Sequence, residues 1–353
     1  MSTSIEAHSE SANEWNVAGE ERVYRSLRRY WHPVLYSADL GTGPQRVVLL
    51  DQKLVVVRLA GEVRVFADRC AHRGTAVSLG WVEDDVLLRC PYHGWTYGPD
   101  GVCTSIPARF GTLIPPNARL EPYRAVERHG LVYVSLDPQP ILPIPDFPEF
   151  DDPAYRVAVV PPYDWQTGAA RRTENFVDFA HFAWVHDGVL ASRDQPEVPE
   201  HEVWRDGAEL RTTITVDEPA STDKTQTLGL DSADDSVPGR RNYRVALPFT
   251  VWLQQHLPGG NTFVLFMACS PVGMKHCRSF TFNARNFALD EDDERFVTFQ
   301  QEIAEADRVI SESQTPEELP ADMTAELFIR GVDRLSVEYR RWLFELAKAA
   351  DDA

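Results

Sequence analysis

Two short segments constrain this chain more than anything else in it: Cys70-Ala71-His72 and, after seventeen intervening residues, Cys90-Pro91-Tyr92-His93. Each supplies one thiolate and one imidazole. Two irons bridged by sulfide need four protein ligands, and placing two histidines on one of the irons removes negative charge and raises the reduction potential. Gly74, Gly94 and Gly98 stand where the two loops would have to close their backbones around sulfide as a cage of N–H donors. A single zinc ion is the competing occupant, because two cysteines and two histidines satisfy it as well. Zinc sites usually pair Cys with Cys and His with His, whereas each half here is mixed.

A chain of 353 residues exceeds the usual size of one domain, so two domains with separate cores are expected. With 43 % hydrophobic and 25 % charged residues there is ample material for packed cores. The 35 basic against 54 acidic side chains leave a formal charge of −19, which repels phosphate backbones and argues against a nucleic-acid partner. No stretch approaches the roughly twenty apolar residues of a membrane span. Met1 to Asn13 is polar and acidic, without the basic start and apolar middle of a secretory signal, so a cytoplasmic protein with a disordered head over residues 1–25 is expected. Five cysteines, Cys70, Cys90, Cys103, Cys269 and Cys277, are too few and too scattered for a disulfide framework.

Val47 to Leu50, Leu54 to Leu59 and Val63 to Phe66 are β-rich runs separated by turn residues, which predicts a meander of hairpins. Strand-like runs at Val86 to Arg89 and Gly130 to Leu136 extend a small all-β domain over residues 26–140. The proline-rich stretch Pro138 to Pro148 then serves as an extended connector to a second domain, residues 141–353. There, strand runs at Leu210 to Val216, Tyr243 to Leu247, Thr262 to Ala268 and Ser279 to Ala284 mix with helical patterns near Arg171 to Val185, Asp290 to Ser313 and Asp333 to Ala349. That pattern predicts an α+β domain, an antiparallel sheet carrying helices. Residues 217–241 are rich in Asp, Ser, Thr and Gly and are expected to form a mobile loop.

In the second domain, Asp178 and His181 are three apart and share one helix face. His186, five residues beyond His181, joins them only if the helix ends or distorts before it, which Asp187-Gly188 favours. On the helix from Asp290 to Ser313, Phe296, Phe299, Ile303 and Ile310 mark an apolar stripe that includes Asp307, while Glu302 and Glu305 fall off it. A carboxylate on a buried face is costly without a partner, and a metal held with two histidines is a natural one. Taken singly, His181 and His186 also fit satisfied core histidines, and Asp307 a buried ion-pair partner.

Cys-Ala-His-Arg-Gly and Cys-Pro-Tyr-His-Gly-Trp-Thr-Tyr resemble the Rieske domain of ring-hydroxylating oxygenases and related demethylases. Asn175-x-x-Asp178-x-x-His181 followed by His186, and Ala306-Asp307-Arg308 with Gln314, are similar to the iron motif and late helix of Rieske non-haem iron oxygenases. The resemblance spans most of the chain from about Trp31. It implies an all-β Rieske domain before a helix-grip catalytic domain. Cys70, His72, Cys90 and His93 would hold one [2Fe–2S] cluster, and His181, His186 and Asp307 one mononuclear Fe(II). Asn175 and Asp178 would serve the catalytic site, with Asp178 bridging His181 to the neighbouring subunit's His93 in a homotrimer. Its length and the run Leu335 to Trp342 look more like the monooxygenase and demethylase branch, similar to vanillate demethylase and dicamba monooxygenase. Expected partners are a small aromatic or heterocyclic substrate, O2 and a separate reductase or ferredoxin, since no flavin or nicotinamide motif is visible. Trp252, Leu253, His256, Leu257 and Phe263 are pocket candidates that also fit ordinary sheet residues. An electron carrier without oxygen chemistry and a zinc-stabilised binding module are the competing readings.

Overall fold

The structure is a computed structural model that describes residues 19–108, 111, 113–219 and 236–351. Contacts divide the chain into two units. One comprises residues 28–144 with 270–273, the other residues 1–27, 145–269 and 274–353.

The first unit is all β. A six-stranded sheet is built from β1 (His32–Tyr36), β2 (Gln45–Leu49), β3 (Gln52–Leu59), β4 (Glu62–Ala67), β9 (Pro122–Arg128) and β10 (Leu131–Ser135), in the order β1-β10-β9-β4-β3-β2. A second sheet of β5 (Trp81–Glu83), β6 (Leu87–Arg89), β7 (Thr96–Tyr97) and β8 (Cys103–Ser105) carries the cysteine-histidine loops. Leu54 to Val57 in β3 are buried on both faces, which is why this run is continuously apolar instead of alternating. Val55, Val57, Phe66, Val77, Leu88 and Leu120 pack with Cys70 and Cys90 in one core, so the thiol ends of the two loops are rooted in hydrocarbon.

The second unit holds a seven-stranded sheet of β11 (Arg156–Trp165), β12 (Val203–Asp206), β13 (Glu209–Pro219), β14 (Ser236–Ala246), β15 (Thr250–His256), β16 (Thr262–Gly273) and β17 (His276–Arg285). Its order is β11-β17-β16-β15-β14-β13-β12. The helices are α1 (Ala169–Val177), the single turn α2 (Phe182–Val185), α3 (Glu294–Ser311) and α4 (Arg334–Asp351). α3 lies on β11, α1 on β15 and β17, and α4 on β12 and β13. The chain is thus α+β, an all-β domain followed by an antiparallel sheet with helices.

Three expectations need correction. Residues 19–26 are helical, with Val23 and Leu27 buried four residues apart, so the disordered head expected over residues 1–25 does not extend through them; residues 1–18 lie outside the described part. Strand pairing runs from Glu209↔Ala246 out to Pro219↔Ser236, so residues 217–219 and 236–241 are strand, and the rest of the expected loop lies outside the described residues. Main-chain pairing in a long hairpin does not need apolar side-chain periodicity, which is why a polar sequence concealed it. On α3 the buried stripe contains Phe296, Phe299, Gln300, Ala304, Asp307 and Ser311, whereas Ile310 is 47 % exposed and leaves the stripe.

Candidate functional site

The two cysteine-histidine loops are near copies. Cys70 N–H donates to Thr75 O and Gly74 N–H to Cys70 O, while Cys90 N–H donates to Trp95 O and Gly94 N–H to Cys90 O. Gly74 and Gly94 close the loops at φ of +74° and +70°, a left-handed conformation that an L side chain resists. Cys70 and Cys90 are buried, whereas His72 is exposed with its Nδ1 3.0 Å from that of His93 and its ring stacked on Trp95. Tyr97 Oη lies 3.0 Å from Cys70 Sγ, placed so that its hydroxyl would donate to that sulfur were it a cluster-bound thiolate and would favour the reduced, more negative centre.

Among the described residues, the group of three or more metal-ligating side chains whose donor atoms all lie within 4.8 Å of one another is His181, His186 and Asp307. The two cysteines and two histidines of the loops do not form such a group. Their donors form a buried thiol pair and an outer imidazole pair, as a two-iron centre requires and a single tetrahedral zinc does not.

The second centre is assembled by a broken helix. α1 ends at Val177, Asp178 has extended backbone, and α2 resumes at Phe182 with His186 following its last residue. The helix breaks before His186, as expected, but the break falls between Asp178 and His181, so the two do not share one helix face and Asp178 reaches His181 from outside any helix. His186 Nε2 lies 2.8 Å from Asp307 Oδ1, and His181 Nε2 lies 3.3 Å from the same oxygen. On the opposite side of its ring, His181 Nδ1 is 3.5 Å from Asp178 Oδ2. Asn175 Nδ2 approaches Asp307 Oδ1 at 3.4 Å. Both ring nitrogens of His181 are buried with no partner in hydrogen-bonding geometry. Orphaned imidazole nitrogens beside a second imidazole and a carboxylate fit a 2-His-1-carboxylate iron site.

Burial alone would lower the basicity of His181, but the Asp178 and Asp307 carboxylates outweigh it and push its pKa up to about 9. Asp307 is resisted by burial too, yet His181, His186 and Arg172 hold it well below the usual carboxylate range. In metal-free protein the folded pKa of His181 exceeds its unfolded value, so its contribution to stability is complete below about pH 6.5 and is lost as pH rises through about 9. A metal bound at His181 would have to displace that proton. Anaerobic calorimetry of Fe(II) binding in buffers of different ionisation enthalpy is expected to register about one proton released per iron near pH 7.5 and none well above pH 9; no proton release at pH 7.5 would count against the pairing.

Next to the triad lies a pocket of about 630 Å³ when the open space at its mouth is included. Strand parity explains its sheet wall. Arg241 and Tyr243 on β14, Leu253 and Gln255 on β15, and Phe263 and Leu265 on β16 line it, and they are cross-strand neighbours: Arg241↔Gln255↔Phe263 and Tyr243↔Leu253↔Leu265. The alternate residues face away, where Trp252 Nε1 donates to Glu149 Oε2 at 3.0 Å and Phe266 stacks on Phe147. Of the pocket candidates named from sequence, Leu253 and Phe263 line the cavity, while Trp252, His256 and Leu257 do not. The helical wall is Phe299, Gln300, Ile303 and Asp307 of α3 with Arg172 and Phe176 of α1. Gln255, Gln300 and Arg172 escaped the sequence reading. Gln255 is two residues beyond Leu253 on a strand and Gln300 seven before Asp307 on a helix, so parity and heptad spacing were the available signals.

The chain belongs to the Rieske non-haem iron oxygenases and is an oxygenase component. Residues 30–115 match a Rieske [2Fe-2S] domain and residues 165–349 a vanillate O-demethylase oxygenase C-terminal domain. Two relatives from Pseudomonas putida are methylxanthine N1-demethylase, 33 % identical over 94 % of this chain and 92 % of its own, and methylxanthine N3-demethylase, 34 % identical with the same coverage. The structure of Pseudomonas putida CBB5 NdmA with caffeine is 32 % identical, superposes with a TM-score of 0.84 and covers 94 % of each chain. Dicamba monooxygenase bound to dicamba, 20 % identical with a TM-score of 0.79, shares the fold. The protein is accordingly an O2- and electron-dependent oxidoreductase with one Rieske [2Fe–2S] cluster and one mononuclear iron per chain. It takes its electrons from a separate reductase or ferredoxin and acts on a small molecule, so the bare electron-carrier reading falls away. No helix among the described residues is long and apolar enough to cross a membrane.

Proposed function

We propose that this oxygenase removes a methyl group from nitrogen in a planar heterocycle that carries carbonyl and N–H groups at its edge. One observation carries the reading. Gln255 and Gln300 are both more than nine-tenths buried, make no side-chain hydrogen bond within the described residues, and line an otherwise mainly aromatic and aliphatic cavity beside His181, His186 and Asp307. A carboxamide offers one acceptor and two donors, and a ligand that covered it without pairing it would cost about 1–3 kcal/mol. A flat ring with alternating carbonyls and nitrogens satisfies both amides while its faces meet Phe176, Phe263 and Phe299. The similarity to two methylxanthine N-demethylases supports the same substrate class.

In this reading Cys70, Cys90, His72 and His93 hold the cluster, and His181, His186 and Asp307 hold the mononuclear iron. The iron, when bound, supplies the activation of dioxygen that places one oxygen atom on the N-methyl carbon. The balance is R₂N–CH₃ + O₂ + 2 e⁻ + 2 H⁺ → R₂N–CH₂OH + H₂O, after which the carbinolamine loses formaldehyde and leaves R₂N–H. Gln255 and Gln300 set which methyl faces the metal, and the apolar walls exclude bulk water. Asn175 holds Asp307 from behind. Asp178 orients His181 and meets the partner subunit's His93, so the working unit is a cytoplasmic ring of three identical chains. The Asp178 side chain is 38 % exposed while that of His181 is 11 %, which leaves the carboxylate reachable from outside its own subunit.

The test is product analysis with reductase and a nicotinamide donor on two substrate sets, N-methylated purinediones and pyrimidinediones against O-methylated phenols. Stoichiometric formaldehyde from the first set alone is expected; turnover confined to the second would replace this reading with O-demethylation. Gln255→Leu and Gln300→Leu are each expected to raise KM about tenfold, the loss of one hydrogen bond, or to change which N-methyl is removed. Unaltered KM and regiochemistry in both variants would remove their role.

A further inference from the structure

We infer that Arg172 is a positioning residue for the mononuclear iron site, acting through Asn175 to fix the Asp307 carboxylate; the inference rests on the ligand assignment proposed above. Arg172 is 2 % exposed. Unlike Arg171, Arg285 and Arg340, it has no carboxylate at ion-pair distance among the described residues. Arg171 pairs with Glu326 at 2.8 Å, Arg285 with Asp293 at 2.8 Å, and Arg340 Nη2 with Glu174 Oε2 at 2.6 Å. The Arg172 guanidinium is instead centred 4.2 Å from the Trp165 ring, donates from Nη2 to Tyr163 Oη at 3.1 Å and from Nη1 to Asn175 Oδ1 at 2.7 Å.

A guanidinium only donates, so the amide of Asn175 has one permitted orientation: its oxygen faces Arg172 and its NH₂ is turned away. That NH₂ meets Asp307 Oδ1 at 3.4 Å, the same oxygen that His181 and His186 approach. Without Arg172 the amide is free to flip, and a carbonyl oxygen would then face a carboxylate, which is repulsive. The spacing suits the relay, since Arg172 and Asn175 are neighbours three residues apart on α1, while Trp165 and Tyr163 on β11 lock the fork from the sheet side. The cation also offsets the Asp307 carboxylate electrostatically, though not by direct contact.

Two physical effects of removing Arg172 have opposite signs. A bare cation repels a divalent metal, so deleting it would tighten binding; loss of the amide's orientation loosens Asp307 and weakens binding. Outer partners of metal ligands are typically worth about 10–100-fold in affinity, and positioning is the effect inferred here.

The experiment uses full-length protein with its cluster intact. Fe(II) occupancy of the mononuclear site is titrated against a chelator buffer in wild type, Arg172→Met, Arg172→Lys, Asn175→Leu and the Arg172→Met/Asn175→Leu double variant, with the ligand-field spectrum of Co(II) at the same site as a second readout. Arg172→Met and Asn175→Leu are each expected to weaken binding about 10–100-fold and to alter the Co(II) bands, with Arg172→Lys in between. The double variant is expected to be no worse than Asn175→Leu alone, because the two act in series. Tighter binding in Arg172→Met, an unchanged Co(II) spectrum, or additive losses in the double variant would overturn the inference. If Arg172→Met does not fold, Arg172→Lys indistinguishable from wild type would do the same. His181→Ala separates the two levels: full metal retention there refutes the ligand assignment, whereas loss there with none in the Arg172 variants refutes only the relay.

Discussion

A His181→Ala protein is expected to purify with its red-brown iron–sulfur chromophore and to fall from about three irons per chain to about two. The loss is local because the two centres draw on different units, the cluster on residues 28–144 and the triad on the other. With His181 gone, His186 and Asp307 remain as two donors 2.8 Å apart that bond each other, and a facial triad is no longer available. Since losing an outer partner costs about 10–100-fold, losing a direct ligand should cost well beyond that in metal affinity, and product formation should vanish with it. Iron analysis beside the visible spectrum decides the matter. Three irons per chain in the variant would move the mononuclear site elsewhere.

Asp178→Asn should give the complementary result, with both metals kept and steady-state turnover lost by about 100-fold or more. Asn preserves the volume and one acceptor of Asp178, so the turn between α1 and α2 survives, including Ala180 N–H to Asp178 Oδ1 at 2.9 Å. What it removes is the negative charge beside His181 Nδ1 and, in the proposed trimer, a full carboxylate between that ring and the partner subunit's His93. Rapid mixing of reduced protein with O2 and substrate should then show slow cluster reoxidation while iron content stays at the wild-type level. Wild-type reoxidation in the variant would dismiss the bridging role.

Much of the fold was readable before any coordinates. The hairpins of β2, β3 and β4, the late helix bearing Asp307 and the strands around Phe263 follow from short β-rich runs bounded by turn residues and from three-to-four spacing. Arg171 to Val185 is helical in composition throughout, so nothing local marks a break between Asp178 and His181. The break at Asp178 arises from tertiary demand, turning His181 and His186 toward Asp307 on α3, 121 residues beyond His186 in sequence. Ile310 looked like a stripe residue because it is apolar, yet Gln300 and Ser311 occupy buried positions and Ile310 does not.

By itself the sequence singled out the two loops proposed to hold the cluster. Cys70, His72, Cys90 and His93 lie in two short segments, so local spacing alone points to them. It also supplied the identities of His181, His186 and Asp307, though not their convergence. Only the tertiary structure decided which faces of β14, β15 and β16 form the cavity, that Gln255 and Gln300 share it, and that Arg172 stands behind Asn175. Those assignments depend on strand register and on helices packed against a sheet. A one-residue shift in register would exchange Gln255 for Gln254, and nothing within a local window distinguishes the two.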